Sequence, residues 1–300
     1  MFIQGSLQLT CQEAQARKLT FVRDAETESG IRALITPLLQ SAGLENDSVY
    51  IYIVNDPTLN AFVAGGPNIF LHTGLLATSG SASQLIGVLA HEIGHISGGH
   101  LSKLAAAHKL ASNEALVGTI LGGAASILLG NPSAGSAIVS GGQHVGIRNL
   151  LRFSRTQELS ADRAAIRYLD ATKQSAQGML NFMELLNNQE LLSLGNQDPY
   201  VRTHPPNQQR INFLQNYIKK SHYSNVPSNK HFREIHGRIK AKIRAFIQPP
   251  HQTLREFPAS DKSVNARYAR TIANHRIPNQ KAALSLIDGL LAELPNNPYF

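Results

Sequence analysis

The sequence predicts an α+β fold that is mainly helical: a small β-sheet, a helix carrying an HExxH pattern, more helices, and the start of a helical-repeat region. Three observations predict it. Val49 to Asp56 is rich in β-branched and aromatic residues, as strands are. Most of the remaining chain repeats apolar residues at helical spacing, with cap and break residues between the runs. The stretch "LIGVLAHEIGHISGGH", Leu85 to His100, sets three histidines and one glutamate among residues that otherwise read as core.

The elements follow in order. Residues 24 to 43 predict a helix, with Ile31, Leu34, Ile35, Leu38 and Leu39 on one stripe. After the strand at Val49 to Asp56, a Gly65-Gly66-Pro67 turn leads to a second strand near Ile69 to His72. Ser81, with Gln84 three residues on, reads as a capping box that opens the HExxH helix, and Gly98-Gly99 weakens or ends it. The apolar run Ala115 to Gly130 is interrupted by Gly122 and Gly123 and is shorter than the roughly 20 residues a bilayer span needs. It reads as a buried helix or a membrane-touching one. A glycine-rich stretch covers Gly130 to Gly146, and helices are expected from Ser154 to Ala171 and from Ala176 to Leu194. "THPPNQQRI" marks a loop and a helix start. Ser228 to Ile247 is amphipathic and basic, which suits a solvated face or a docking face for a partner or anionic lipid.

"QPPHQ" breaks that helix and looks like a boundary. Val264 to Phe300 reads as two antiparallel helices, with Ala283 and Pro295 spaced as in the second helix of a tetratricopeptide repeat (TPR). One repeat cannot bury its own face, so the chain is expected to be a fragment of a longer protein. The expected division is an N-terminal segment 1–23, with disorder an open reading; a main domain 24–225 that holds the HExxH helix; a basic helix and linker 226–262; and a truncated repeat region 263–300.

Composition bounds the partners. The net charge of +8 favours an anionic surface or partner without naming one. Cys11 is the single cysteine, so there is no internal disulfide framework. The first eighteen residues lack a basic start and a continuous apolar run, and make no legible signal peptide.

The chemistry concentrates at His91, Glu92 and His95. Residues four apart on a helix lie about 40° apart around its axis, so both imidazoles project from one face and can hold one cation. Glu92 stands beside that cation, where it can take a proton from a bound water, which is the logic of HExxH zinc proteases. Leu101 occupies the place where a metzincin pattern would need its third histidine. His100 is one residue early, and a continuous helix would carry it to the side opposite His91. A catalytic zinc needs a third protein ligand, and "SRTQELSADRAAIRYL" offers Glu158 with Asp162 four residues on, on the same helical face. Glu158 can bind the metal, and Asp162 can accept the N–H of a ligating histidine.

Together, "HEIGH", "ELSAD", "NAFVAGGPNIFLHTGLL" and "THPPNQQRI" resemble the gluzincin branch of zinc metallopeptidases. Within it they resemble the family of the CAAX prenyl proteases, HtpX and the periplasmic β-barrel assembly-enhancing proteases, and most of all the last, repeat-bearing type. The resemblance implies a zincin-like catalytic domain followed by the start of a TPR-type α-solenoid. It implies one zinc per chain on His91, His95 and Glu158, with Glu92 as general base. It also implies that His204 approaches the metal, where it can cap the zinc as a fourth ligand and hold the enzyme inactive. Arg210 is implied to polarise the substrate carbonyl or to order the His204 loop.

The implied function is hydrolysis of peptide bonds in misfolded or stalled envelope proteins by a zinc-bound water that Glu92 activates. The second reading is a chaperone or scaffold with a capped zinc site that acts through its repeats. The implied location is the periplasm. The implied partners are extended, unfolded or misassembled proteins and the outer-membrane assembly machinery, with peripheral membrane contact open and no nucleic acid. The strand at Ile69 to His72 is expected to present its edge to an extended substrate.

Overall fold

A computed structural model describes residues 20–103, 106, 155–187, 200–201, 204–205 and 207–300. The apolar run at Ala115 to Gly130, the glycine-rich stretch after it and Cys11 lie outside the described residues.

A four-stranded sheet is built from β1 (Phe21–Val22), β2 (Tyr50–Val54), β3 (Ala61–Val63) and β4 (Asn68–His72), in the order β1-β2-β4-β3. It is mixed: β2 and β4 run parallel, and the other two pairings are antiparallel. Phe21 and Val22, at the end of the N-terminal segment 1–23, pair with Val54 and Ile53. One expectation is corrected here. The strand expected to offer a free edge, β4, is enclosed by β2 on one side and β3 on the other, so β3 holds the edge. Folding β3 back across the Gly65-Gly66-Pro67 turn covers β4 with a hairpin arm three residues long.

Helix α1 (Ala25–Ser41) starts at Asp24, whose carboxylate accepts from Thr27 N–H at 2.9 Å. Its stripe of Ile31, Leu34, Ile35, Leu38 and Leu39 is fully buried, and joins Ile53, Ile69 and Leu71 of the sheet in the main core. A short helix α2 (Thr73–Thr78) leads into α3 (Ala82–Ser97). Ser81 caps α3 by accepting from Gln84 N–H at 3.2 Å; the Gln84 side chain reaches Gly80 N–H rather than that of Ser81. Leu85, Ile86, Leu89 and Ile93 of α3 belong to the same core.

Helix α4 covers residues 155–171. It is followed by α5 (Gln177–Asn187), α6 (Gln208–Ile218) and the basic helix α7 (Lys230–Ile247). The expected extension of α5 to Leu194 falls outside the described residues.

Several cations of α7 turn inward, so that helix is not a purely solvated face. Lys240 Nζ donates to Ser79 O at 2.8 Å, and Arg244 Nε to Ala77 O at 2.8 Å, satisfying carbonyls at the end of α2. Lys242 lies 3.1 Å from the buried Glu26 carboxylate, which also accepts from the Tyr268 hydroxyl at 2.9 Å. Pro249 and Pro250 begin a new helix, α8 (Pro250–Glu256), where proline suits the first turn. Helices α9 (Val264–Arg276) and α10 (Gln280–Glu293) form the C-terminal hairpin. A second apolar cluster joins Ala241 and Ala245 of α7 to Tyr268, Ala269 and Ile272 of α9 and Leu290 of α10.

His236 of α7 gives the fold an acid-sensitive joint. Its ring is buried, with Nε2 2.9 Å from the Ser79 hydroxyl. Burial, helped by Lys240, pushes its pKa down to about 4. The unfolded chain binds that proton more readily, at about 6.5. This part of the stability is therefore complete above the unfolded value and is lost as pH falls through the folded one. It is worth at most about 3 kcal/mol. The urea midpoint should drop between pH 6.5 and 4, and should drop less in His236→Gln. An identical pH slope in the variant would rule the joint out.

Candidate metal centre

Helices α3 and α4 carry three of the four groups that converge. They can do so because the helices touch at Gly94, where an added Cβ would lie 2.7 Å from the Ala161 carbonyl oxygen. The glycine inside "HEIGH" thus sets the distance from which Glu158 and Asp162 reach the histidines.

His91 Nε2 and His95 Nε2 are 3.0 Å apart. Glu158 brings Oε2 to 3.4 Å from His91 Nε2, and Oε1 to 3.3 Å from His95 Nε2. His204 Nδ1 stands 3.4 Å from His91 Nε2 and 3.2 Å from Glu158 Oε1. Among the described residues these four side chains form a group able to hold a metal ion. Zinc with bonds of about 2.0–2.1 Å holds tetrahedral ligands roughly 3.3–3.4 Å apart, so the observed separations fit. The chemistry of the donors fits too. Ring nitrogens and carboxylate oxygens aim their lone pairs at one point, which is repulsive unless a cation or protons lie between them.

The surrounding groups are fixed by charge. Asp162 Oδ1 is 2.9 Å from His91 Nδ1, on the far side of the ring from the cluster. Arg210 grips Asp162 with two nitrogens, Nε at 2.7 Å and Nη2 at 2.8 Å. Its third nitrogen, Nη1, lies 2.9 Å from Glu158 Oε2 and donates to Pro205 O at 3.0 Å. Burial works to raise the Asp162 pKa, but Arg210 and His91 outweigh it and hold the carboxyl down at about 2. Glu158 is likewise buried, and is held well below the usual range by His204, His91 and His95.

Glu92 differs from both. It is 0% exposed, and neither of its oxygens has a hydrogen-bond partner among the described residues. Its nearest cationic candidate is His204 Nε2, 3.6 Å from Oε1. Burial raises its pKa, which makes its carboxylate a stronger base than an exposed one.

All seven residues singled out in the sequence therefore meet here: His91, Glu92, His95, Glu158, Asp162, His204 and Arg210. Two further residues carry no motif that names them. Tyr200 is buried one helical turn before His204, with its ring 4.7 Å from the His204 ring and 5.4 Å from Phe182. It closes an apolar wall with Val88, Met183 and Leu186 beside His91. His100 lies not opposite His91 but against His95, with the two Nδ1 atoms 3.0 Å apart.

Comparison with known proteins follows the same lines. Residues 25–218 match the family described as peptidase family M48. The chain is 25% identical over 273 residues to the beta-barrel assembly-enhancing protease of Yersinia pestis, covering 90% of this chain and 56% of that protein. It is 27% identical over 273 residues to the protein of the same name from Escherichia coli strain K12, covering 90% and 55%. It is 23% identical over 218 residues to the mitochondrial metalloendopeptidase OMA1 of Schizosaccharomyces pombe, covering 69% of this chain and 60% of that one. The chain thus spans a little over half the length of these relatives.

Proposed function

The chain belongs to peptidase family M48, and from that premise we propose that it is a zinc-dependent endopeptidase acting on extended segments of misfolded or stalled envelope proteins. The observation that carries the reading is the convergence of His91, His95, Glu158 and His204 on one point, with the Glu92 carboxylate, which makes no hydrogen bond among the described residues, beside it. When bound, zinc supplies a Lewis acid that acidifies a water and offsets negative charge on the reacting carbonyl.

The remaining work falls to the chain itself. His91, His95 and Glu158 would hold the ion. Glu92 takes the proton from the attacking water and returns it to the leaving amine. Arg210 is committed to Asp162, Glu158 and the Pro205 carbonyl, so its role here is to brace a ligand and the His204 turn. The edge strand β3 supports the choice of substrate, because an extended backbone can pair along it with little demand on sequence.

The position of His204 supports a capped resting state, and with it a second reading, in which the protein serves mainly as a scaffold. The α9–α10 hairpin is then the start of a TPR-type repeat region. Its exposed Leu284 and Leu291 offer an apolar face to clients or to outer-membrane assembly machinery, a partner proposed because the relatives are named for β-barrel assembly. The periplasm is proposed on the same resemblance. No helix among the described residues is long and apolar enough to cross a membrane.

Metal analysis joined to a proteolysis assay tests the reading. Purified protein should carry one zinc, lose it to a chelator, and cleave an unfolded protein only when loaded. Glu158→Ala should retain none after dialysis. Full zinc occupancy in that variant, or cleavage by chelated protein, would overturn it.

A further inference from the structure

A histidine binds a cation through one ring nitrogen only when its proton sits on the other, so something must hold that proton in place. For His91 the group is Asp162, facing Nδ1. His95 also presents Nε2 to the cluster, and so must also carry its proton on Nδ1. No carboxylate faces that atom among the described residues. His100 does: its Nδ1 lies 3.0 Å from His95 Nδ1, with the rings edge-on at 84° and their centroids 4.9 Å apart.

We infer that His100 is a positioning residue that accepts the His95 Nδ1–H and so holds the His95 Nε2 lone pair on the metal. The inference rests on the zinc-peptidase reading. The balance of protons is simple. His100 carries its own hydrogen on Nε2, and its bare Nδ1 accepts. If His100 donated instead, the His95 proton would move to Nε2, into the space the cation needs.

The backbone is shaped for this contact. Helix α3 stops at Ser97, and Gly99 adopts φ +61°, a left-handed conformation that glycine takes without strain. That turn swings His100 back over the helix end. Gly98 leaves room for its ring, since a Cβ there would lie 2.3 Å from His100 Nε2. The Gly98-Gly99-His100 triplet thus works as one device, and His100 ends up buried. His100 is not a fourth or fifth ligand, because it meets His95 on the nitrogen turned away from the cluster. A neutral imidazole is a weaker acceptor than a carboxylate, so the two zinc histidines are held unequally.

The test compares the full chain with His100→Phe, which keeps a flat ring but removes the acceptor, and with His100→Gln, which returns a carbonyl oxygen. Three quantities are measured: zinc affinity by chelator competition, the visible spectrum of the cobalt-substituted protein, and the melting temperature of the metal-free protein. Loss of such an outer partner typically lowers metal affinity about 10–100-fold. The phenylalanine variant should show that loss and an altered cobalt spectrum, with the metal-free melting temperature unchanged and most of the affinity recovered in the glutamine variant. Wild-type affinity in His100→Phe would overturn the inference. So would a loss that glutamine does not repair, or one matched by equal destabilisation of the metal-free protein, since those mark a packing role. If wild-type protein itself binds no zinc, the peptidase reading falls along with this one; if it binds and the phenylalanine variant binds equally, only this one falls.

Discussion

Replacing Glu92 by glutamine is expected to leave zinc in place and to lower peptide hydrolysis by about 10²–10⁴-fold, the range that a positioned general base contributes. The side chain keeps its size, so the helix and its neighbours are undisturbed. What changes is the capacity to accept a proton. Glu158 and Asp162 cannot stand in for it, because both are already engaged by cations and held ionised at low pKa. Glu92 alone among the three has oxygens without hydrogen-bond partners and a pKa raised by burial. An amide at this site should also relieve the cost of a buried charge, so the variant should melt no lower than wild type. Zinc content, melting temperature and cleavage of an unfolded protein check all three statements. Retained cleavage would remove Glu92 from the reaction. If cleavage is lost but the variant still supports assembly of an outer-membrane client, the scaffold reading gains.

The parts of this fold that were legible in the sequence are those with long periods. The α1 stripe repeats over nine residues from Ile31 to Leu39, and every member is buried. Histidines four apart, and carboxylates four apart, share a face by helix geometry alone, so both halves of the metal site could be set on their helices before any packing was known. What was missed is short or non-local. Strands β1 and β3 have two and three residues, too few to show an alternation. The order of the sheet depends on which way a hairpin folds, and no single strand states that. His100 was misplaced because helical arithmetic was carried across Gly98 and Gly99, where the helix stops. Tyr200 reaches the site only because its helical turn brings His204 there, a consequence of tertiary packing.

Arg210→Leu is expected to cost about 3–5 kcal/mol of stability, as removing one partner of a buried ion pair commonly does. The guanidinium is 3% exposed and binds in three directions at once. It makes a two-point contact with Asp162, one with the Glu158 oxygen, and one with the backbone of the His204 turn. A leucine fills part of the volume and satisfies none of these groups. Asp162 would keep only His91 opposite it, Glu158 would be free to swing from the metal, and the Pro205 carbonyl would lose its donor. Arg210→Lys should recover little, since a point charge cannot span both Asp162 oxygens and still reach Glu158. Urea unfolding of the metal-free protein measures the first effect, and chelator competition measures the loosening of Glu158. A brace and a carbonyl polariser predict different results here. A polariser could be removed with folding and zinc affinity intact and only turnover reduced, whereas the brace takes all three down together, because one side chain ties Glu158, Asp162 and the His204 turn into a single unit.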